Sequence, residues 1–158
     1  MIDERSDNFE KAKKYIYQLL KYRDRSEKEL RDRLKRKKFS SKTIDKVVNY
    51  CQEFNLLDDT SFTRSWVESK FDQGFGVLRI KSDLAKKGIS SDLVEKVYND
   101  ITSKDVEREK IRVLIDKKIK LSKKEKDIFK LKKKIFAYVC RRGFSWDLVS
   151  DEINNMNL

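Results

Sequence analysis

The sequence predicts an all-α protein, an elongated and curved array of three tandem three-helix repeats. The chain of 158 residues contains no proline and only four glycines. Both residue types weaken helix interiors, so their scarcity is typical of a nearly all-helical structure. Five apolar positions also recur at offsets of 50 and then 55 residues, and a period of this size indicates repeats that complete each other's cores. The matched sets are Leu30, Leu34, Phe39, Ile44 and Val48; Ile80, Leu84, Ile89, Val94 and Tyr98; and Ile135, Val139, Phe144, Val149 and Ile153.

Within this frame we expect an N-terminal extension at 1–10, followed by repeats at 11–57, 58–102 and 103–158. Each repeat contains a turn between its second and third helices. Glycine takes a positive φ there at little steric cost, which lets the chain reverse. Lysine occupies the equivalent position of the first repeat, at a cost of roughly 1 kcal/mol. The turn triplets are Lys-Lys-Phe at 37–39, Lys-Gly-Ile at 87–89 and Arg-Gly-Phe at 142–144.

The first repeat is predicted to begin with a helix near Asn8–Tyr22, because its apolar residues fall on one face at helical spacing. Ser26 with Glu29 three residues later is typical of a capping box, which opens a second helix to about Lys37. Ser40 caps a third helix through about Glu53. Asn55 tolerates a left-handed backbone and ends that helix.

The second repeat is predicted to start at Asp58-Asp59, where either carboxylate can cap the following helix. The apolar stripe of that helix is Phe62, Trp66, Val67 and Phe71, and the spacing of Trp66 favours the core over an exposed anchor. A second helix spans about 77–87, and Ser90 opens a third through about Asn99.

The third repeat has longer helices than its counterparts. Its first helix is predicted at about 104–120, with Val106 among its apolar residues. Ser122 and Glu125 form the pattern of another capping box, which places the second helix at about 123–142. Gly143 ends that helix and Ser145 opens the last one.

Composition excludes several classes of protein. With no histidine and two isolated cysteines, a zinc site or a disulfide framework is not expected, and we expect Cys51 and Cys140 to be buried thiols. No nucleotide-binding loop or catalytic constellation is visible, so the sequence predicts a binding protein with no cofactor or metal. No stretch is apolar enough to cross a membrane, and the N-terminal Met1-Ile-Asp-Glu-Arg has no apolar run like that of a secretory signal, so we expect a cytoplasmic protein.

The net charge of +12 is unevenly distributed. Residues 1–50 and 101–158 each contain 16 basic and 9 acidic residues, whereas residues 51–100 contain 7 and 9. Two basic ends therefore flank a nearly neutral middle. The natural partner of such ends is a polyanion, either nucleic acid or an acidic protein surface.

The central segment resembles the motif of the RecX family. The resemblance rests on Leu56-Leu57-Asp58-Asp59, Phe62, Trp66, Gly74, Gly76, Arg79-Ile80, Leu84 and Lys87-Gly88-Ile89. The opening repeat, with Leu20, Arg25-Ser26, Glu29-Leu30 and Leu34, and the closing Arg142-Gly143-Phe144-Ser145 resemble the family's other repeats. Lys38 stands in place of a glycine, and Thr63 in place of the family's usual small alanine.

The resemblance implies a bacterial regulator of the RecA recombinase. It implies an array that lies in the groove of the RecA filament on single-stranded DNA, where it inhibits ATP hydrolysis, strand exchange and filament extension. We expect a monomer with weak, non-specific affinity for DNA alone.

Basic residues near the second helices and their exit turns are the candidate contacts to filament and DNA. They are Arg31, Arg33, Lys35, Arg36 and Lys37; Arg79, Lys81, Lys86 and Lys87; and Lys132, Lys133, Arg141 and Arg142. One alternative is an autonomous DNA-binding regulator built from tandem helix-turn-helix-like units, although acidic third helices such as that with Asp92 and Glu95 disfavour insertion into a groove. A helical scaffold for another acidic protein is a further alternative.

Overall fold

The computed structural model describes the backbone of residues 4–156 and the side chains of residues 8–156. Within that range every regular element is a helix, which confirms the all-α prediction. The helices are α1 (Glu4–Tyr22), α2 (Glu27–Arg36), α3 (Ser41–Glu53), α4 (Asp59–Asp72), α5 (Val77–Ala85), α6 (Ser91–Ile101), α7 (Lys104–Leu121), α8 (Ile128–Arg141) and α9 (Trp146–Asn155).

The expected N-terminal extension is partly helical, because α1 already begins at Glu4. Residues 1–3 of that extension lie outside the described residues. Among helices of the described chain, none is long and apolar enough to cross a bilayer.

Local capping chemistry sets the helix boundaries of the first repeat. The Ser26 side chain accepts a hydrogen bond from Glu29 N, and the Glu29 carboxylate accepts one from Ser26 N, so the predicted capping box is confirmed. The hydroxyl of Ser40 accepts from Thr43 N at the start of α3. Lys38 and Asn55 have positive φ values of 63° and 54°, as their positions in the two turns predict.

The repeated apolar frame forms the core. All fifteen matched positions are buried except Phe39, which is half-buried and packs against the cluster of the first repeat. Gly88 and Gly143 have positive φ values of 78° and 94° in the equivalent turns of the other two repeats. The offsets of 50 and 55 residues therefore mark true structural equivalence.

The two carboxylates at the start of the second repeat, Asp58 and Asp59, form different contacts. Asp58 Oδ1 accepts hydrogen bonds from Thr60 N and Ser61 N, so Asp58 caps α4. Asp59 Oδ1 instead accepts from Glu27 N at the first turn of α2, 2.9 Å away. Trp66 is half-buried, whereas the other three residues of the predicted α4 stripe are buried.

The predicted capping box of the third repeat is wrong. Ser122 ends α7 instead of opening the next helix, and α8 begins five residues later than predicted, at Ile128. Asp127 is the cap, since its side chain accepts from Phe129 N and Lys130 N. Residues 122–126 are polar and offer no apolar face to bury, so a helix there would gain little from packing. At 14 residues α8 is still longer than α2 or α5.

The expected burial of Cys140 in the third repeat is wrong, and one apolar residue of α7 is also exposed. Val106 lies on the solvent side of α7 with 49% of its surface exposed, and Cys140 is half-buried. Both residues belong to helices whose apolar face is wide enough to leave a member at its edge.

Contacts divide the chain into two compact units. One comprises Met1–Thr63 with Lys86–Ile89, and the other comprises Arg64–Ala85 with Ser90–Leu158. The units do not follow the predicted repeat boundaries, which stay predictions. The elongation and curvature expected of the array also stay predictions.

Candidate basic interface

The turn after α5 contacts the start of α2 within the first compact unit. The Ser26 hydroxyl donates a hydrogen bond to the Lys87 carbonyl oxygen at 2.7 Å. The Lys87 ammonium donates to the Glu29 carboxylate, also at 2.7 Å. A Cβ on Gly88 would lie 2.7 Å from the Cβ of Lys28, so this turn approaches α2 more closely than another residue would allow.

Glu29 is the centre of this contact. Burial alone would raise the pKa of its carboxyl, but hydrogen bonds from Arg23, Lys87 and Ser26 N outweigh that effect and lower the pKa to about 2. The carboxylate therefore stays ionised at neutral pH and holds the cap of α2 and the neighbouring turn together.

An equivalent contact recurs within the second compact unit, between the turn after α8 and the start of α5. Gly76 N donates to the Arg142 carbonyl oxygen at 2.8 Å, and Leu78 N donates to that of Gly143 at 3.0 Å. The Arg142 guanidinium donates to the carbonyl oxygen of Gln73 at 2.9 Å. A Cβ on Gly76 would lie 2.5 Å from the carbonyl oxygen of Gly143, which explains why glycine stands at the position that Ser26 occupies in the first repeat.

These two contacts change the interpretation of two candidate binding residues. Sequence periodicity placed Lys87 and Arg142 on the cationic turns, and the structure places both against the preceding repeat. Each is half-buried and bonded to protein atoms. Their immediate neighbours Lys86 and Arg141 are exposed instead.

Arg31 and Lys81 are also engaged within the protein. Arg31 contacts Asp45 of α3 at 2.7 Å and Glu27 at 2.7 Å. Lys81 pairs with Glu95 of α6. Because both partners are offset by 50 residues, these are one ion pair in two repeats, joining the second helix to the third. Arg79 is exposed and pairs with Asp83 at 3.4 Å.

The remaining candidate cations of the first repeat form what we name the α2 cluster, consisting of Arg33, Lys35, Arg36 and Lys37. All four are exposed, and none has an ion-pair partner among the described residues. The ammonium of Lys37 lies 5.4 Å from the centroid of the Tyr15 ring. The nearby Asp32 carboxylate forms its ion pair with Lys28, so these four cations leave an excess of positive charge at the end of α2.

Four lysines of the third repeat lie on α8. Lys130 and Lys134 pair with Asp127 and Glu125, at 4.0 and 2.6 Å. Lys133 is exposed, with its ammonium 4.5 Å from the centroid of the Phe129 ring, and Lys132 is half-buried. Both are free of ion pairs within the described part of the chain, so their charge is available to a ligand.

Sequence reasoning missed two exposed aromatic residues beside these lysines. Phe129 and Trp146 have 67% and 65% of their surface exposed. The repeat register contains a signal for the second one. Trp146 occupies the position of Ser41 and Ser91, directly after the N-cap serine, where the other two repeats have a small polar residue.

No arrangement typical of a catalytic or metal centre accompanies these surfaces. In the part of the chain that the structure describes, no three His, Cys, Asp or Glu side chains lie close enough to hold a metal ion. Burial raises the pKa of the Cys51 and Cys140 thiols, which keeps both protonated and unreactive at neutral pH. The candidate site is therefore a set of cationic and aromatic surfaces.

Comparison with known proteins decides the family. Three family models match in order, described as the first, second and third three-helix domains of RecX, at residues 12–51, 58–97 and 105–152. Together they cover well over half of the chain. The chain belongs to the RecX family. The resemblance drawn from the motif residues is thereby confirmed.

Individual relatives agree with the family models. The chain is 33% identical to the Regulatory protein RecX of Finegoldia magna over 138 residues, which cover 87% of this chain and 67% of the relative. It is 35% identical to the Regulatory protein RecX of Haemophilus influenzae over 140 residues, covering 88% and 90%. Against a Clostridium botulinum relative it covers only 60% of the relative's length. These relatives are named as regulatory proteins, not as enzymes.

A solved structure supports the fold. The crystal structure of RecX from Lactobacillus salivarius matches with a TM-score of 0.86 at 23% identity, over 94% of this chain and 96% of that one. A likeness at this identity supports three-helix repeats in the same order.

Proposed function

We propose that this chain regulates the RecA recombinase by binding the RecA–DNA filament and inhibiting ATP hydrolysis, strand exchange and filament extension. The observation that carries the proposal is the match of all three RecX domains along the chain. RecA enters as the partner that RecX membership implies.

The charge distribution supports a filament as the ligand. The α2 cluster, with Lys86, Lys133 and Arg141, offers exposed cations in each of the three repeats. A nucleoprotein filament presents phosphates and carboxylates repeatedly along one track. Several weak ionic contacts to such a track give avidity without a deep pocket. Inhibition follows when a bound chain bridges neighbouring RecA protomers and restricts the movements that ATP turnover needs.

The first and third repeats supply most of the electrostatic attraction in this proposal. The second repeat is nearly neutral, and Lys81 and Arg79 are paired with carboxylates there. We assign the more protein-specific contacts to that repeat.

The helix-turn-helix alternative gains little support from the third helices. Asp92 is exposed in the first turn of α6, and Asp147 is exposed in the first turn of α9. Carboxylates at these positions would repel the phosphates that flank a major groove. We therefore expect affinity for duplex DNA alone to be weak, dependent on salt and insensitive to sequence.

The decisive assay is ATP hydrolysis by RecA on single-stranded DNA, with and without substoichiometric amounts of this protein. We expect inhibition by the native chain. The double variant Lys35→Glu and Arg36→Glu should raise the concentration for half-inhibition by about tenfold or more, because it reverses two exposed charges of the α2 cluster.

The matched control is Lys42→Glu with Lys46→Glu, which makes the same change of charge on exposed residues of α3 in the same repeat. The control should inhibit nearly as well as the native chain. Unchanged ATP turnover with the native chain, at salt near physiological, would remove the proposal. Equal losses in both double variants would remove the α2 cluster as the contact.

A further inference from the structure

The third repeat contains a groove between α8 and α9 whose aromatic lining has no part in the proposed function, although its two lysines are among the candidate filament contacts. Its volume is ≈ 320 Å³, and its lining includes Phe129, Phe136, Trp146, Lys132, Lys133 and Ser150. Three aromatic rings and two lysines thus meet at one open surface within a single compact unit.

Comparison among the repeats shows how the groove arises. The second and third helices are joined by Arg31 with Asp45 in the first repeat, and by Lys81 with Glu95 in the second. At the offset of 55 residues, the third repeat has Phe136 and Ser150 at those two positions. An aromatic ring and a small hydroxyl replace the ion pair, and both line the groove.

Trp146 is exposed and yet packs against a second ring of the groove. The rings of Trp146 and Phe136 are 5.6 Å apart between centroids, at an interplanar angle of 81°. This edge-to-face contact fixes the indole, and 65% of the Trp146 surface remains in contact with solvent. Exposing a large fixed ring costs hydrophobic free energy, which a ligand that stacks on it would recover.

The positive charge of the groove indicates that its ligand is negatively charged. The two lysines of the lining face no carboxylate in the groove, and the ion pairs of α8 involve Lys130 and Lys134 instead. A ligand that fits must therefore combine a flat apolar face with negative charge beside it. A second copy of this chain fits poorly, because its net charge is +12.

We propose that the α8–α9 groove binds single-stranded nucleic acid, with an unpaired base stacked on Trp146 and the adjoining phosphates contacted by Lys132 and Lys133. Bases of every kind have a π face, so stacking on an aromatic side chain is tolerant of sequence. Duplex nucleic acid buries those faces and cannot use the site. The inference goes beyond the proposed function, because it concerns free nucleic acid and does not require RecA.

The test uses fluorescence anisotropy of a labelled oligothymidylate of about 15 nucleotides at about 0.1 M salt, in the absence of RecA. An abasic strand of the same length and the corresponding duplex serve as comparison ligands. We expect the native chain to prefer the oligothymidylate. Trp146→Ala should weaken its binding by about tenfold and leave binding of the abasic strand unchanged, whereas Trp146→Phe should retain most of the affinity.

The matched control is Phe54→Ala, which removes an aromatic residue of similar exposure, 61%, from the end of α3. It should bind the oligothymidylate as the native chain does. Equal affinity of the native chain for oligothymidylate and abasic strand, or full binding by Trp146→Ala, overturns the stacking site. Because RecA is absent from this assay, its result is independent of the ATP hydrolysis assay.

Discussion

Lys38 adopts a backbone conformation that glycine favours and lysine does not. Its φ of 63° lies in the left-handed region, and the equivalent turns of the other repeats have Gly88 and Gly143 with positive φ. A side chain with a Cβ is strained there, while glycine is not. The repeat therefore tolerates a local cost because the rest of the turn, including the bond from Phe39 N to the Leu34 carbonyl oxygen, specifies the conformation.

Substituting Lys38→Gly should stabilise the protein by about 0.5–1 kcal/mol, since relief of the strained φ exceeds the added freedom of the unfolded chain. Urea unfolding measures the change. Asn55→Gly is the matched control, because asparagine adopts φ values near 54° with less strain, and it should give a smaller gain. A loss of stability at Lys38 would contradict the strain argument.

At the scale of elements, α8 shows that the sequence pattern of a capping box does not by itself determine where a helix begins. Ser122 and Glu125 match the spacing of a capping box, yet Asp127 caps the helix with two backbone hydrogen bonds of 2.9 and 3.1 Å. Asp127 directly precedes the residues Ile128 and Phe129. Glu125 is instead bonded to Lys134 at 2.6 Å.

Asp127→Ala should destabilise α8 by about 1 kcal/mol, because two backbone N–H groups lose their acceptor. Hydrogen exchange at the amides of Phe129 and Lys130 should become faster. Ser122→Ala serves as the comparison and should leave those amides unchanged, as Ser122 lies at the end of α7. If Ser122→Ala accelerates exchange there instead, the cap is assigned wrongly.

At the scale of the whole molecule, neighbouring cations perform different tasks. Arg142 donates to backbone carbonyls in the loop between α4 and α5, while Arg141 is exposed. Lys87 contacts Glu29, while Lys86 is exposed. Each basic pair thus supplies one residue to the contact between repeats and one to the surface. A repeat array depends on such contacts, because its stability combines the stability of each repeat with that of the contacts between neighbours.

Arg142→Met should lower the free energy of unfolding by about 0.5–1.5 kcal/mol, since the carbonyl oxygens of Gln73 and Gly74 lose a charged donor. Arg141→Glu should leave unfolding nearly unchanged and weaken inhibition of RecA. Urea unfolding and the ATP hydrolysis assay, applied to both variants, separate the two roles. Identical effects of the two substitutions in both measurements would contradict this division.

The sequence by itself determined the helices, their order and the threefold frame. Helix caps and turns depend on atoms only a few residues away, so the sequence alone predicts them. Examples are the caps Ser26, Ser40 and Ser90 and the turns at Gly88 and Gly143. The apolar positions recur at fixed offsets because equivalent cores select equivalent residues. These features sufficed to predict the all-α fold, whereas the family was predicted from the resemblance of the motif residues to RecX.

Only the tertiary structure decided which charges are available to a ligand. Lys87 lies 58 residues from Glu29 and Arg142 lies 69 residues from Gln73, and neither partnership follows from a local pattern. The same holds for the groove of Phe136 and Trp146, whose aromatic faces meet only when α8 packs on α9. The physical reason is that a charge or a ring acts through what lies within a few ångströms of it, and those neighbours are chosen by the packing of helices far apart in the chain.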